Sequence, residues 1–432
     1  MTSTPGERHG PRRVFYGWWI VVASAGVQML QAGLLQQAYG AYVSVLLDQF
    51  GWSKTALSFG YSLQPVQSGL LGPVQGWMID HWGPRRVMRT GMLMFGSGFI
   101  LFSRIDSLLQ FYGVFILMAV GSSLAGFMSI TTTLVQWFER RRATAMSLSQ
   151  TGMSIGGMLV PVVAWSLATY GWRQTAFVSG IIILVAGLPL TQVMRTNPEQ
   201  YGLHPDGVAT ADLIAEPDEA TGPARDVATR VDFTAREALR TRAFWLISFG
   251  HGSALLVVSA VMVHLILDLE QSRGFSLGEA ATVVAVLTLV TALGQIAGGL
   301  LGDRFQKRKI AALAMFGHSA GLLALAWGGA FFWLIVFIFA HGIAWGMRGP
   351  LMQAMRADYF GRRNFGTIMG FSSLVINVGM VSGPLIAGGM ADRFGNYQYG
   401  FTLLAIFAAL GSIFFIFATP PPPPVRHGDG LV

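Results

Sequence analysis

Residues 76 to 86 read "GWMIDHWGPRR", and residues 299 to 309 read "GLLGDRFQKRK". Each closes a long apolar stretch with a glycine, an aspartate four residues on, and then a basic cluster. The first supplies Gly76, Asp80, Gly83, Arg85 and Arg86; the second supplies Gly299, Asp303, Lys307, Arg308 and Lys309. The two aspartates stand 223 positions apart. Trp137-Phe138 before "ERRR" matches Tyr359-Phe360 before "GRR" at an offset of 222, and Phe177 after "GWRQTA" matches Phe401 after "GNYQYG" at 224. Three landmarks at nearly one offset make this 432-residue chain a tandem of two like halves.

The chain is 53% hydrophobic and only 12% charged, where a soluble domain carries about 25% charged residues. Its solvent is therefore largely lipid. Twelve apolar stretches run near 17–46, 54–79, 90–103, 107–137, 143–170, 174–194, 243–267, 277–301, 310–328, 331–356, 364–390 and 399–419. Most reach the roughly 20 residues of a membrane helix, and open strand edges cannot be satisfied in hydrocarbon. An all-α membrane protein follows, with six helices in each half. A polar stretch divides the chain into residues 1–195, a linker 196–241 with a short surface helix near 233–240, residues 242–419 and a tail 420–432. Parallel repeats of six helices are the build of a rocking transporter, with its site near the midplane between the halves.

The net charge of +8 is explained by topology, without nucleic acid. With the N-terminus cytoplasmic, 23 of the 29 lysines and arginines fall on the cytoplasmic side and five on the other. The cytoplasmic group includes Arg8, Arg12, Arg13, Arg140, Arg141, Arg142, Arg356, Arg362, Arg363 and Arg426. That bias is the positive-inside rule, and it puts both termini and the linker in the cytoplasm. The preference for arginine over lysine suggests a GC-rich bacterial genome, hence a bacterial inner membrane. The absence of cysteine removes thiolate chemistry. No P-loop and no nucleophile–base constellation appears, so neither ATP-driven transport nor an enzyme is expected. No metal or cofactor is called for, and a monomer suffices.

The pattern G-x-x-x-D-x-x-G-x-R-R, echoed in the second half, resembles the signature loop of the major facilitator superfamily. "WFERRRATAMSLSQTGMSIGG" (137–157) resembles the helix 4–5 signature of monocarboxylate transporters, with small residues at Ala145, Ser147, Ser149, Gly152 and Gly156. "YGWWIV" (16–21) is similar to that family's opening of helix 1, and the oxalate–formate antiporter branch fits equally. The resemblance implies two pseudo-symmetric six-helix bundles and secondary active transport of a small organic anion, most simply a monocarboxylate, by proton symport or anion exchange. A multidrug exporter of the same superfamily is the alternative. Two positions depart from the family. Helix 8 has no charge before Asp303, with Gln295 about where an arginine would fall. The helix 1 lysine is missing, leaving Gln36 and Gln37.

One basic residue belongs to neither side. Arg348 lies about 16 Å along a helix from the surface near Tyr359, too far to snorkel. It either braces the backbone where Pro350 leaves the Gly346 carbonyl without its partner, or it receives an anionic substrate through its planar fork. At the repeat offset it falls on Gly126, so a brace would serve one half only. Helical spacing puts His341, Trp345, Arg348, Met352 and Met355 on one face, which the second reading turns toward the central cavity. Gln36, Gln37, Gln64, Gln150, Gln295 and Asn377 are further substrate-binding candidates, since an amide facing lipid is costly. Gln28, Gln31 and Gln67 belong to the same polar set. No carboxylate lies deep in a stretch, so His251 and His341 are the candidates for proton coupling. The loop residues Gly76, Asp80, Gly83, Arg85, Arg86, Gly299, Asp303 and Arg308 are expected to gate, with Asp80 meeting basic residues or a helix N-terminus.

Overall fold

The repeated loop is a tight turn. Gly83 has φ of 80°, a conformation a side chain would strain. Pro84 then opens the next helix, where its missing N–H has no helical partner to lose. The computed structural model describes residues 14–52, 54–207 and 232–424. Arg8, Arg12, Arg13, the linker stretch 208–231 and the tail from 425, with Arg426, lie outside the described residues.

Among the described residues, twelve long helices follow one another. They are α1 (Tyr16–Phe50), α2 (Lys54–Trp82), α3 (Pro84–Phe102), α4 (Leu108–Trp137), α5 (Arg142–Tyr170), α6 (Trp172–Val193), α7 (Arg242–Arg273), α8 (Leu277–Arg304), α9 (Lys307–Trp327), α10 (Phe331–Phe360), α11 (Phe365–Phe394) and α12 (Gln398–Phe417). Ten are long and apolar enough to cross a bilayer; α2 and α3 complete the two sets of six. The short helix expected near 233–240 is Ala235–Leu239, opened by a capping box between Thr234 and Glu237. Helix α3 starts six residues before its apolar stretch, so Arg85, Arg86 and Arg89 sit in its first turns.

Several helices are not straight. A π-turn at Ala32–Gln36 interrupts α1, and α4 breaks at Gly126, where φ is −94° and ψ −143°. The hydroxyl of Ser129 donates to the Leu124 carbonyl at that break. By contrast α10 continues through Pro350.

Each half buries its own core. Phe95, Phe99 and Phe115 anchor the first, and Phe244, Phe337 and Phe401 the second. In lipid these cores gain nothing from water exclusion, so close backbone packing matters more. Gly152 of α5 lies on the backbone of Ala25, and Gly383 of α11 on that of Leu256; a methyl group at either would overlap main-chain atoms.

The halves cross at two places related by the repeat. Gly72 and Gly76 of α2 lie against Gly370 and Gly366 of α11, and Gly299 and Gly302 of α8 lie against Ser147 and Ala143 of α5. Hydrogen bonds and an ion pair join the halves between the end that carries the basic loops and the middle of the bundle. They form a polar seal at that end.

Candidate functional site

The seal is built on helix N-termini, where unpaired N–H groups and the helix dipole favour negative charge. Asp80, at the end of α2, accepts from the backbone of Gly366 (3.0 Å) and Thr367 (2.7 Å) and from the Thr367 hydroxyl (2.6 Å), at the start of α11. Asp303, at the end of α8, accepts from the backbone of Ala143 (2.8 Å) and Thr144 (3.0 Å), at the start of α5. The basic residues expected to gate stay within their own halves, while Gly76 and Gly299 make the backbone crossings described above. Arg85 reaches Gln192, Arg86 is exposed, and Arg308 points to the Ile416 carbonyl. The basic residues that do cross are Arg142 and Arg362. Buried Arg142 pairs with Asp358, which also holds Lys307 at 2.8 Å. Arg362 donates to the Gln136 carbonyl (2.8 Å) and pairs with Glu199. Arg142 and Asp358 were legible only as loop charges.

The linker ends are tied to the same loops. Asp206 accepts from the backbone of Glu139, Arg140 and Arg141. Asp232 accepts from the backbone of Arg362 and Arg363.

Above the seal, three candidate amides lie on α5, α8 and α11. Gln150 touches Gly349, whose missing Cβ would sit 3.2 Å from Gln150 Oε1. Gln295 leaves Oε1 buried without a partner, while its backbone carbonyl accepts from Ser147 Oγ at 2.7 Å. Asn377 lies against Gly69 and donates to the Ser373 carbonyl at 2.8 Å. In α1, Gln36 is half-buried and Gln37 is exposed, donating to the Met153 carbonyl at 3.1 Å. Gln64 is half-buried. Gln28 and Gln31 tie helices instead, to the carbonyls of Ser149 and Ser122. Gln67, outside the substrate set, keeps both amide atoms buried and unpartnered.

Arg348 is 2% exposed, and its Nε and Nη1 are buried without hydrogen-bond partners. No carbonyl near Pro350 takes these N–H groups, so the brace reading lacks its bonds. The face around it differs from expectation. His341, Met352 and Met355 are 0–1% exposed, turned into the second bundle; only Trp345 is half-buried. His341 is corrected from a cavity residue to an interior one: its Nδ1 lies 3.1 Å from His318 Nδ1 on α9. Helical spacing shows which residues share a face, not which neighbour the face meets.

Arg356 is a second correction. The charge pattern counts it with the cytoplasmic basic residues, yet it is 1% exposed. Its Nη2 donates to Ser372 Oγ (2.8 Å) and lies 3.2 Å from His251 Nδ1, and its Nη1 donates to the Met352 carbonyl (3.3 Å). Ser372 in turn meets Ser248 at 2.8 Å. His251 keeps 6% exposure, more than its partners Arg356 and Ser372.

The family model described as Major Facilitator Superfamily matches residues 23–267 and 247–430. Monocarboxylate transporter 11 of Mus musculus is 26% identical, over 96% of this chain and 90% of its own. The oxalate:formate antiporter of Oxalobacter formigenes is 23% identical, over 92% and 91%. Among solved structures, the human organic anion transporter MFSD10 (TETRAN) superposes with a TM-score of 0.69 at 16% identity, covering 94% of this chain and 100% of its own.

Proposed function

We propose, from the premise that this chain belongs to the major facilitator superfamily and is a membrane transporter, that its cargo is a small organic anion, most simply a monocarboxylate. The observation that carries the reading is Arg348. A guanidinium with two unpartnered nitrogens, deep in a membrane helix and without a carboxylate partner, is costly until an anion arrives. The names of the relatives, a monocarboxylate transporter and an oxalate:formate antiporter, agree in cargo charge.

Transport proceeds by alternating access. The anion enters from the end opposite the seal and reaches the level of Gln150, Gln295 and Asn377, with Trp345 as apolar wall. Arg348 closes on its carboxylate in bidentate fashion. Release requires the basic end to part, which breaks the bonds of Asp80 and Asp303 and the Arg142–Asp358 pair. Proton symport and anion exchange both fit this cycle. The chain is a carrier and not an enzyme. We place it in a bacterial inner membrane with both termini cytoplasmic, working as a monomer of two bundles, residues 1–195 and 242–419, joined by the linker 196–241.

Uptake of labelled monocarboxylates into vesicles, with competition by a panel of anions, cations and neutral drugs, tests the cargo. Anions compete and cations do not; the reverse ranking identifies a drug exporter. Orientation has its own check. The native chain has no cysteine, so Ile214→Cys reports the linker alone. In whole cells it stays unlabelled by an impermeant thiol reagent, and in broken cells it reacts. Labelling of whole cells inverts the topology.

A further inference from the structure

Hydrogen bonding divides the histidines of the second bundle. An arginine only donates, so His251 Nδ1 accepts from Arg356 and the ring proton is on Nε2. A second proton on His251 would face a guanidinium. His264, far along α7, lies 3.0 Å from the Pro384 carbonyl through Nε2, which therefore carries its proton; its Nδ1 is buried without a partner, but no second imidazole stands beside it to share a proton. His318 and His341 have only each other. Their Nδ1 atoms are 3.1 Å apart, their rings meet at 71°, and both are 0% exposed. Both Nε2 atoms are buried without partners.

That geometry fixes the count of protons. One Nδ1 donates and the other accepts. The donor ring then has a bare lone pair on Nε2, and the acceptor ring has an N–H there. One further proton can enter on the bare Nε2. The Nδ1–H···Nδ1 bond stays in place and becomes charge-assisted. Another proton would set two N–H groups against each other, so the pair takes one and no more.

We propose that the His318–His341 pair is the proton site of the transport cycle, and that Arg348 controls its occupancy. The proposal rests on the reading that Arg348 receives the anion. Arg348 follows His341 by two turns on the same face of α10, about 10 Å along the axis. The other charged and titratable groups near the pair are accounted for. On α9 there are none between Lys309 and Trp327, and α12 has only Tyr399. Helix α8 has none between Glu279 and Asp303. On α7, Asp268 pairs with Arg273, which donates to the carbonyls of Leu325 and Gly328 at the far end of α9. On α10, Arg356 is held by Ser372 and His251, and Asp358 by Arg142 and Lys307. The bare charge nearest in sequence register is therefore Arg348, and it repels a proton while the site is empty. A carboxylate on Arg348 cancels that field, and a proton follows it into the pair. Anion and proton bind together, one for one.

The test needs no ligand, because Arg348→Gln removes the charge as a bound anion would. Purified carrier with ¹⁵N-labelled histidine shows imidazole and imidazolium rings separately by NMR, and a series of pH values carried downward from neutral follows their ratio. Repulsion at ~10 Å and an effective dielectric near 20 corresponds to about a tenfold change in a protonation ratio. In Arg348→Gln the imidazolium ratio of the pair therefore rises about tenfold over wild type. Adding His318→Asn abolishes the rise. Melting curves establish that the variants fold, and Arg348→Met repeats the charge removal with a different side chain. An unchanged ratio in both Arg348 variants, or a rise that survives His318→Asn, overturns the proposal. Anion binding by wild-type protein is scored separately by melting with acetate and phenylpropionate, so loss of the anion reading and loss of the proton site are told apart.

Discussion

Arg348→Gln binds the transported anion at least tenfold more weakly than wild type, and Arg348→Lys falls between them. Lysine keeps the charge but loses the planar fork, and glutamine loses both. Losing one partner of a desolvated, hydrogen-bonded charge pair typically costs about 2–5 kcal/mol. Stability of the empty carrier moves little, because removing an unpartnered buried charge relieves a cost. A brace would behave in the opposite way. Its loss would leave carbonyls unpaired, lowering the melting temperature while sparing affinity in the protein that folds. Melting of purified protein with and without the anion decides. If Arg348→Gln melts far below wild type yet still gains stability from the anion, the arginine is a brace and the site lies elsewhere.

The second large effect is expected at the seal. Asp80→Asn with Asp303→Asn keeps an acceptor at both helix N-termini but removes both charges. Interactions of this kind are each worth about 1–2 kcal/mol, and about 1.4 kcal/mol is tenfold in an equilibrium. With both removed, the balance between sealed and open basic ends therefore moves by roughly one and a half to three orders of magnitude. Ser147 offers a reporter, since it is 1% exposed and donates to the Gln295 carbonyl between α5 and α8. A thiol reagent should modify Ser147→Cys much faster in the double variant, and turnover should fall while anion affinity changes little. Asp80→Asn alone should give the same pattern at smaller size. Native reactivity and native turnover together would remove the seal from the mechanism.

The sequence and the structure agree most closely where a single residue type answers to a single physical demand. Apolar runs of membrane length gave the helices, and Asp80 with Gly83 and Pro84 marked the turn because few other residues suit it. The repeat matched Asp80 with Asp303, though not the helices whose N-termini they meet. Legibility stopped where two environments share one composition. The interior of a bundle and the wall of a cleft are both apolar, so the His341 face could not be assigned to either. Arg356 looked like a loop charge because it stands near Arg362 and Arg363; its burial depends on His251 and Ser372, which are distant in sequence. The breaks in α1 and α4 leave no such signal, since no proline occurs at Ala32–Gln36 or at Gly126.

The bare guanidinium of Arg348 also has an electrical consequence. A membrane potential does about 2.3 kcal/mol of work per 100 mV on an elementary charge that crosses the whole field. When the two halves rock around Arg348, that residue feels a changed fraction of the field, and the work scales with that fraction. On the proposed role of Arg348, an anion alone hides the charge, so the loaded carrier turns over indifferent to voltage while the empty one does not. An anion accompanied by a proton leaves one positive charge in place, and loaded and empty forms then respond alike. Which half of the cycle current or voltage can bias thus reports which ions are on board.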